Sequence, residues 1–331
     1  MNYDDIFEIF KKENQIIEYF GKTLGKGAYG KVRDAKIKNS AKIMAAKLIL
    51  KEKNDGPGEI YYSQILRGQN IVKVYLTEEK EIKGNIYDLI IMEKSLLSNL
   101  EIVNKYYHNH RILKLIFYNP FEENVGNNLL RYYTKQIVNG LETLDRNYCV
   151  HFDIKPDNLL ISLNLEIKLS DFSLLTKVKE QKELTLPGGT QGYSSPEYYL
   201  KKQFSKKVAR KQDYFALGST LFYLKYGTHM LEFNKYNEYT SINSDIIKDI
   251  LEKKIAYIKS DQFSEQDFID FISSLIEYDP EDRPTFEQIY RNKWLNKNNK
   301  VLKEILYANS IDDEKAMIEL QKSDFLIKKE K

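Results

Sequence analysis

The apolar residues of this chain change period part-way along it, and that change constrains the fold more than any other feature. From Tyr19 to about Met92 apolar and polar residues alternate over short runs: TLGKGAYGKVRDAKI, KIMAAKLIL, IVKVYLTE and IYDLIIME. Alternation is the pattern of strands with one buried face, and Asn39-Ser40 and Lys83-Gly84-Asn85 supply turns between them. Beyond about Leu129 apolar positions recur every three or four residues, as in LLRYYTKQIVNGLETL and DFIDFISSLIEYDP, which is the period of amphipathic helices. The prediction is an α+β fold of two lobes, the first rich in strands and the second mainly helical. One stretch of the first lobe departs from alternation: GEIYYSQIL, Gly58 to Leu66, reads as a helix after the breakers Asn54-Asp55-Gly56-Pro57. Ser95 to Asn128, polar and rich in Asn and Tyr, reads as a connector plus an irregular helix.

Length and charge narrow the function classes. A chain of 331 residues can build two substantial cores, and its 51 Lys+Arg against 48 Asp+Glu leave a net charge of +3. That balance argues against nucleic acid or a membrane surface as partner. The single cysteine, Cys149, excludes an internal disulfide and a cysteine zinc cluster, which favours a reducing intracellular setting, the cytoplasm with the nucleus left open. The start MNYDDIFEIFKKE mixes acids among its apolar residues, unlike a secretory signal. The strongest apolar stretch, Tyr214 to Leu224, is far shorter than the ~20 residues of a membrane helix. His108 and His110 lie in a polar segment without further ligands, so metal binding is not expected there.

Three constellations carry chemistry. The first is Gly25-Lys26-Gly27-Ala28-Tyr29-Gly30-Lys31-Val32. A dinucleotide fingerprint would need a helix after it, and VRDAKIKNSAKIMAAKL reads as two strands; a Walker loop would need Ser or Thr where Val32 stands. A glycine-rich strand–turn–strand flap remains, whose backbone amides can approach phosphates, although a plain glycine hairpin fits equally well. The second is Lys47, closing an apolar strand; a solvated lysine is its simpler reading. The third and most specific is Val150-His151-Phe152-Asp153-Ile154-Lys155-Pro156-Asp157-Asn158 followed by Lys168-Leu169-Ser170-Asp171-Phe172-Ser173. Two carboxylates and an amide suit magnesium, and a free carboxylate beside them can accept a hydroxyl proton.

This ordered set resembles the eukaryotic protein kinase family over roughly Tyr19 to Leu295. The resemblance implies a two-lobed kinase domain at 19–295, with the N-lobe at about 19–92 and the C-lobe at about 96–295, flanked by an extension at 1–18 and a tail at 296–331. It implies ATP and Mg2+ as cofactors and Ser/Thr hydroxyls of a protein substrate as acceptors. Asp153 resembles the catalytic base, Lys155 the lysine that steadies the transferred phosphate, and Asn158 and Asp171 the magnesium ligands. Lys47 resembles the lysine that holds the α and β phosphates, with Glu59 as its ion-pair partner. The remaining nucleotide contacts fall on Leu24, Gly25, Lys26, Gly27, Gly30, Val32 and Ala45 around the flap, on Met92, Glu93 and Ser95 at the hinge, and on Leu160 below. Gly189-Thr190-Gln191-Gly192-Tyr193-Ser194-Ser195-Pro196-Glu197 resembles the substrate-binding end of the activation segment. Asp213 to Gly218 resembles the buried helix beneath it, and Arg283 in DPEDRP the partner of Glu197. Lys155 and Thr190 together point to Ser/Thr acceptors, and Thr190 itself reads as structural.

Departures from the family pattern define the alternative. Phe152 replaces the arginine that normally receives an activation-loop phosphate, and Ser173 replaces a glycine that permits unusual backbone angles. Only eleven residues separate Lys47 from Glu59, so the first turn of the helix is expected to be missing, with Gly56-Pro57-Gly58 as a tight start. Ser63 stands where the family places an apolar residue against Phe172. A pseudokinase that binds nucleotide as a scaffold is the alternative function; retention of Lys47, Asp153, Asn158 and Asp171 favours an active enzyme. In the tail, Val301 with Ile305 and Leu302 with Leu306 give a short amphipathic helix. Docking on its own lobe or simple solvation is the plainer expectation for it, and recruitment of a regulatory partner such as calmodulin the other.

Overall fold

Alternating apolar runs in the first third of the chain produce five antiparallel strands: β1 (Ile17–Gly27), β2 (Gly30–Ile37), β3 (Met44–Lys51), β4 (Val74–Ile82) and β5 (Asn85–Glu93). They form one sheet in the order β1-β2-β3-β5-β4. The computed structural model describes residues 2–27, 30–51, 58–95, 99, 125–161, 166–178, 183–184, 187–200, 203–233, 242–262 and 264–297. The expected turns are present, with Asn39, Lys83 and Gly84 all at positive φ. Strand β3 is bonded on both edges, which is why its first five residues are buried and why it can fix a side chain at the sheet centre.

Residues 3–13, assigned by the sequence only to an extension, form helix α1 (Tyr3–Glu13). Its N-terminus is closed by a reciprocal pair: Asp5 N–H donates to Asn2 Oδ1 at 2.9 Å and Asn2 N–H to Asp5 Oδ2 at 3.3 Å. Ile6, Phe7 and Phe10 are fully buried in one core with Phe20, Ala46, Leu48, Leu89 and Ile91, so α1 roofs one face of the sheet. Asp4 is held by Lys31 at 2.6 Å and Arg33 at 3.2 Å, both on β2. The signal was present in the sequence: Asn2 followed three residues on by Asp5, then apolar residues at helical spacing.

Helix α2 (Gly58–Ile65) lies beside β4 and β5. Gly58 has φ +72, a conformation that favours glycine, so the helix begins abruptly and puts Glu59 in its first turn. Residues 52–57, including the rest of the expected tight start, lie outside the described residues.

The second lobe is built on α3 (Val125–Arg146), which begins a few residues before the Leu129 expected from periodicity. Short strands follow it: β6 (Cys149–Val150), β7 (Leu159–Ile161) and β8 (Ile167–Leu169), with a 3-10 turn at Pro156–Asn158. Next come β9 (Thr176–Lys177), β10 (Glu183–Leu184), α4 (Pro196–Tyr199), β11 (Phe204–Ser205) and α5 (Lys206–Ala209). The lobe closes with α6 (Lys211–Tyr226), α7 (Ser244–Lys259), α8 (Gln266–Leu275) and α9 (Phe286–Tyr290). The apolar stretch at 214–224 is a core helix: α6 is buried from Lys211 to Phe222, and a Cβ on Gly218 would stand 2.6 Å from Ile276. No helix among the described residues is long and apolar enough to cross a membrane. The tail beyond residue 297 and most of 96–124 fall outside the described residues.

A short seam fixes one lobe to the other. Val72 N–H donates to Leu169 O and Leu169 N–H to Asn70 O, each at 2.9 Å. Buried Asn70 adds a bond from its side-chain amide to Ile167 O at 2.8 Å. The chain therefore passes from α2 directly against β8, the strand that leads into Asp171.

Candidate active site

Lys47 stands opposite Val32 on β2 and Ile90 on β5, in the middle of the sheet. Its Nζ lies 2.7 Å from Glu59 Oε2 and 2.7 Å from Asp171 Oδ1, joining a strand, a helix and the loop after β8. Burial opposes charge on Lys47, but the two carboxylates outweigh it and hold the ammonium above its usual range. Burial would likewise lift Asp171; the Lys47 charge and bond, with a hydrogen bond from Ser173, hold it well below the usual carboxylate range. Glu59 is pushed up by burial while Lys47 pulls the other way. The solvated reading of Lys47 is therefore excluded.

The loop between β6 and β7 is anchored from beneath. Asp213 on α6 accepts His151 N–H and Phe152 N–H, each at 2.8 Å, and burial raises its carboxyl to about 6. Phe152 adopts φ +63, a left-handed geometry rare for a bulky residue, and Asp171 has φ +61. Asp153 is held on both oxygens. Lys155 Nζ donates to Oδ2 at 2.7 Å, Asn158 Nδ2 to Oδ2 at 3.0 Å, and the Thr190 hydroxyl to Oδ1 at 2.6 Å. Lys155 also donates to Thr190 Oγ1 at 2.6 Å. With Nδ2 spent on Asp153, Asn158 keeps its amide oxygen as a cation donor. That oxygen and the ionised Asp171 carboxylate are the groups that could hold magnesium.

Around this centre β1 and β2 form the expected hairpin, with Gly27 opposite Gly30; Ala28 and Tyr29 fall outside the described residues. Gly25 has open space around it, whereas a Cβ on Gly30 would meet Leu48 O at 2.2 Å. Gly30 is thus required for the packing of β2 on β3. Leu24 and Lys26 are exposed on β1. Ala45 pairs across the ladder with Met92, and Met92 and Leu160 pack partly buried against one core. Glu93 Oε1 accepts Lys73 N–H at 2.6 Å, and Ser95 donates to Ile161 O, tying the hinge to both lobes.

A family model described as the protein kinase domain matches residues 19–295. The chain belongs to the protein kinase family. Curated relatives agree: an Aurora kinase of Schizosaccharomyces pombe is 30% identical over 287 residues, covering 83% of this chain and 70% of that protein. An Aurora kinase of Saccharomyces cerevisiae is 29% identical over 290 residues, covering 84% and 69%. The calcium/calmodulin-dependent protein kinase cmkA of Emericella nidulans is 28% identical over 292 residues, covering 86% of this chain and 63% of that protein. By this kinship the chain is of the protein serine/threonine kinase type, in a family that uses ATP and Mg2+.

Elsewhere in the kinase the scaffold residues meet as the motifs imply. Arg283, fully buried, reaches Glu197 at 2.8 Å. Cys149 is buried and its thiol is pushed up to about 11 by burial, so it is a packing residue. Thr190, read from the sequence as structural, ties its segment to the loop: its hydroxyl accepts from Lys155 and donates to Asp153. Phe152 fills a small apolar cluster with Val150, Val178, Val208 and Ala209, against partly buried Leu174. Ser63 is buried, and Phe172 instead sets its ring edge-on to His151 at 5.8 Å. Tyr62 carries no signal of a role in the sequence; its hydroxyl accepts Lys177 N–H at 3.2 Å.

Proposed function

We propose that this kinase is an active enzyme that transfers the γ-phosphoryl group of ATP to Ser or Thr hydroxyls of protein substrates. The carrying observation is the paired geometry of the cleft: Lys47 within 2.7 Å of both Glu59 and Asp171, and Asp153 fixed by Lys155, Asn158 and Thr190. In the transfer, the acceptor oxygen bonds to the γ-phosphorus while the bond to the β–γ bridging oxygen breaks; the hydroxyl proton passes to Asp153 and ADP leaves. Lys47 holds the α and β phosphates, and Lys155 neutralises the transferred group. Gly25, Gly27 and Gly30, with Leu24, Lys26, Val32, Ala45, Met92, Glu93, Ser95 and Leu160, form the nucleotide's surroundings. Asn158 and Asp171 would hold magnesium, which when bound supplies positive charge against the β and γ phosphates. The depressed pKa of Asp171 keeps that ligand ionised throughout the neutral range.

The kinase domain is assigned to 19–295, with 1–18 as an extension docked through α1 and 296–331 as a tail. The near-neutral charge gives no support to nucleic acid or a membrane surface as partner, and the buried cysteine fits an intracellular setting, cytoplasmic or nuclear. The tail remains the candidate segment for a regulatory partner.

Transfer of labelled phosphate from ATP to a degenerate peptide array, with magnesium present, should give activity that Asp171→Ala removes. Nucleotide binding without transfer in the unaltered protein would instead make it a scaffold, the reading that Phe152 and Ser173 favour.

Control of the activation segment follows from Phe152. Its apolar cluster occupies the place of a cationic phosphate receptor, and a charge buried there unpaired would cost several kcal/mol. Activity is therefore set without an activation-loop phosphate. Thr185→Ala should retain transfer within about twofold, since Phe152 offers a phosphate on the segment no charge-assisted contact. Loss of activity in that variant alone, measured as initial rate, would refute this control.

A further inference from the structure

Glu59 and Tyr62 are three residues apart on α2 and so share one face of the helix. Each accepts a backbone N–H from the same stretch of chain beyond Asp171. Glu59 Oε1 takes the Phe172 N–H at 3.4 Å, and the Tyr62 hydroxyl takes the Lys177 N–H at 3.2 Å. Tyr62 is 5% exposed and packs in the same core as Phe172 and Leu175, so water does not compete well for its oxygen.

Mechanically the two contacts differ. The Glu59 carboxylate also serves Lys47, so its hold on the segment is shared with the sheet, to which Gln64 Nε2 also ties α2 at 2.7 Å from Thr77 Oγ1 on β4. Tyr62 adds a second bond one turn further along that is given to the segment alone, and two points fix the register of α2 against the segment. The segment is gripped from its other side as well: β9 pairs with β6, Val178 N–H donates to Tyr148 O at 2.8 Å, and Val178 and Leu174 pack around Phe152. Lys177 therefore lies between a fixed strand and Tyr62. Apart from that of Glu59, these contacts to the segment run through backbone groups, a hydroxyl and apolar side chains.

We infer that Tyr62 is a positioning residue for phosphoryl transfer, coupling the register of α2, and with it the Lys47–Glu59 pair, to the segment that carries Asp171. This rests on the reading of the chain as an active kinase.

Tyr62→Phe deletes one oxygen and keeps the ring. In the full chain the variant is expected to lose about fivefold in kcat, with the KM for ATP within about twofold, as for the loss of one buried hydrogen bond acting on alignment. Backbone hydrogen exchange at Lys177 should accelerate about tenfold while amides of α6 and α8 keep their protection. The pair Glu59→Gln and Tyr62→Phe should be non-additive in kcat/KM, because both act on one helix register.

Three results with the variants would overturn the inference. The first is an unchanged kcat with unchanged exchange at Lys177. The second is full additivity with Glu59→Gln. The third is a variant whose melting temperature falls while the folded fraction keeps wild-type kcat, which would make Tyr62 a packing residue only. An unprotected Lys177 amide in the unaltered protein would overturn it without any variant. Absence of transfer in the unaltered protein would instead remove the reading on which the inference rests, so the two failures are separable.

Discussion

Replacing Asp153 by asparagine is expected to reduce phosphoryl transfer by about two to four orders of magnitude, the range for loss of a positioned general base, while the protein stays folded. Asp153 presents two acceptor oxygens to three donors, Lys155, Asn158 and Thr190. Asparagine offers one oxygen, which can still accept from Lys155 and Asn158, and one NH2, which can donate to the Thr190 hydroxyl oxygen, so the contacts survive but the group can no longer take a proton. The surrounding loop does not depend on that carboxylate. Its backbone hangs from Asp213 through the His151 and Phe152 amides, and Asn158 Nδ2 also bonds to the Asp153 backbone oxygen at 2.8 Å. Radiolabelled transfer rates beside circular-dichroism melting separate the two effects. Activity within about tenfold of wild type would mean that another group receives the proton.

The second large effect lies on the face of the sheet opposite Lys47, where Ala46 and Leu48 meet α1. Phe7→Ala should destabilise the protein by about 3–5 kcal/mol, the usual cost of emptying a buried phenylalanine site. Phe7 is fully buried, its ring centroid is 4.7 Å from that of Phe20, and the Arg33 guanidinium lies 5.4 Å above it. The space left behind would be bounded by the sheet and by the rest of α1, which can collapse into it only by breaking the Asp4 contacts to Lys31 and Arg33. Chemical denaturation read by far-ultraviolet dichroism gives the shift in midpoint. A change under about 1 kcal/mol would show that α1 is dispensable to the lobe.

Much of this architecture is legible in local pattern. Strands β1 to β5 follow from alternation, and α3 and α8 from apolar spacing. The constellation of Asp153, Asn158 and Asp171 is dense enough in chain order to be recognised from the residues alone. Lys47 and Glu59 are also legible as a pair, and their contact at 2.7 Å shows that the short connection between them still lets the helix reach. What stays hidden depends on contacts between distant segments. Nothing in the neighbourhood of Thr190 tells that its hydroxyl will meet an aspartate 37 positions earlier. Tyr62 looks like one more aromatic residue on a short helix until Lys177 arrives beside it. Helix α1 carries both a capping signature and an apolar stripe, but an isolated helix of this length is marginal, and only the sheet beneath it makes the pattern decisive.

The single tryptophan gives the molecule a built-in optical probe. Trp294 is fully buried at the end of the described chain, stacked on Phe271 at 5.4 Å, tilted against Phe268 at 5.0 Å and capped by the Arg131 guanidinium at 5.5 Å. These partners belong to α3 and α8, which contribute no residue to the nucleotide cleft. Its emission, excited at the red edge where the 25 tyrosines are silent, therefore follows the integrity of the helical lobe alone. Loss of α1 and the sheet beneath it would be visible in dichroism yet dark to this fluorophore, so the two signals together resolve whether the lobes melt as one unit or in sequence.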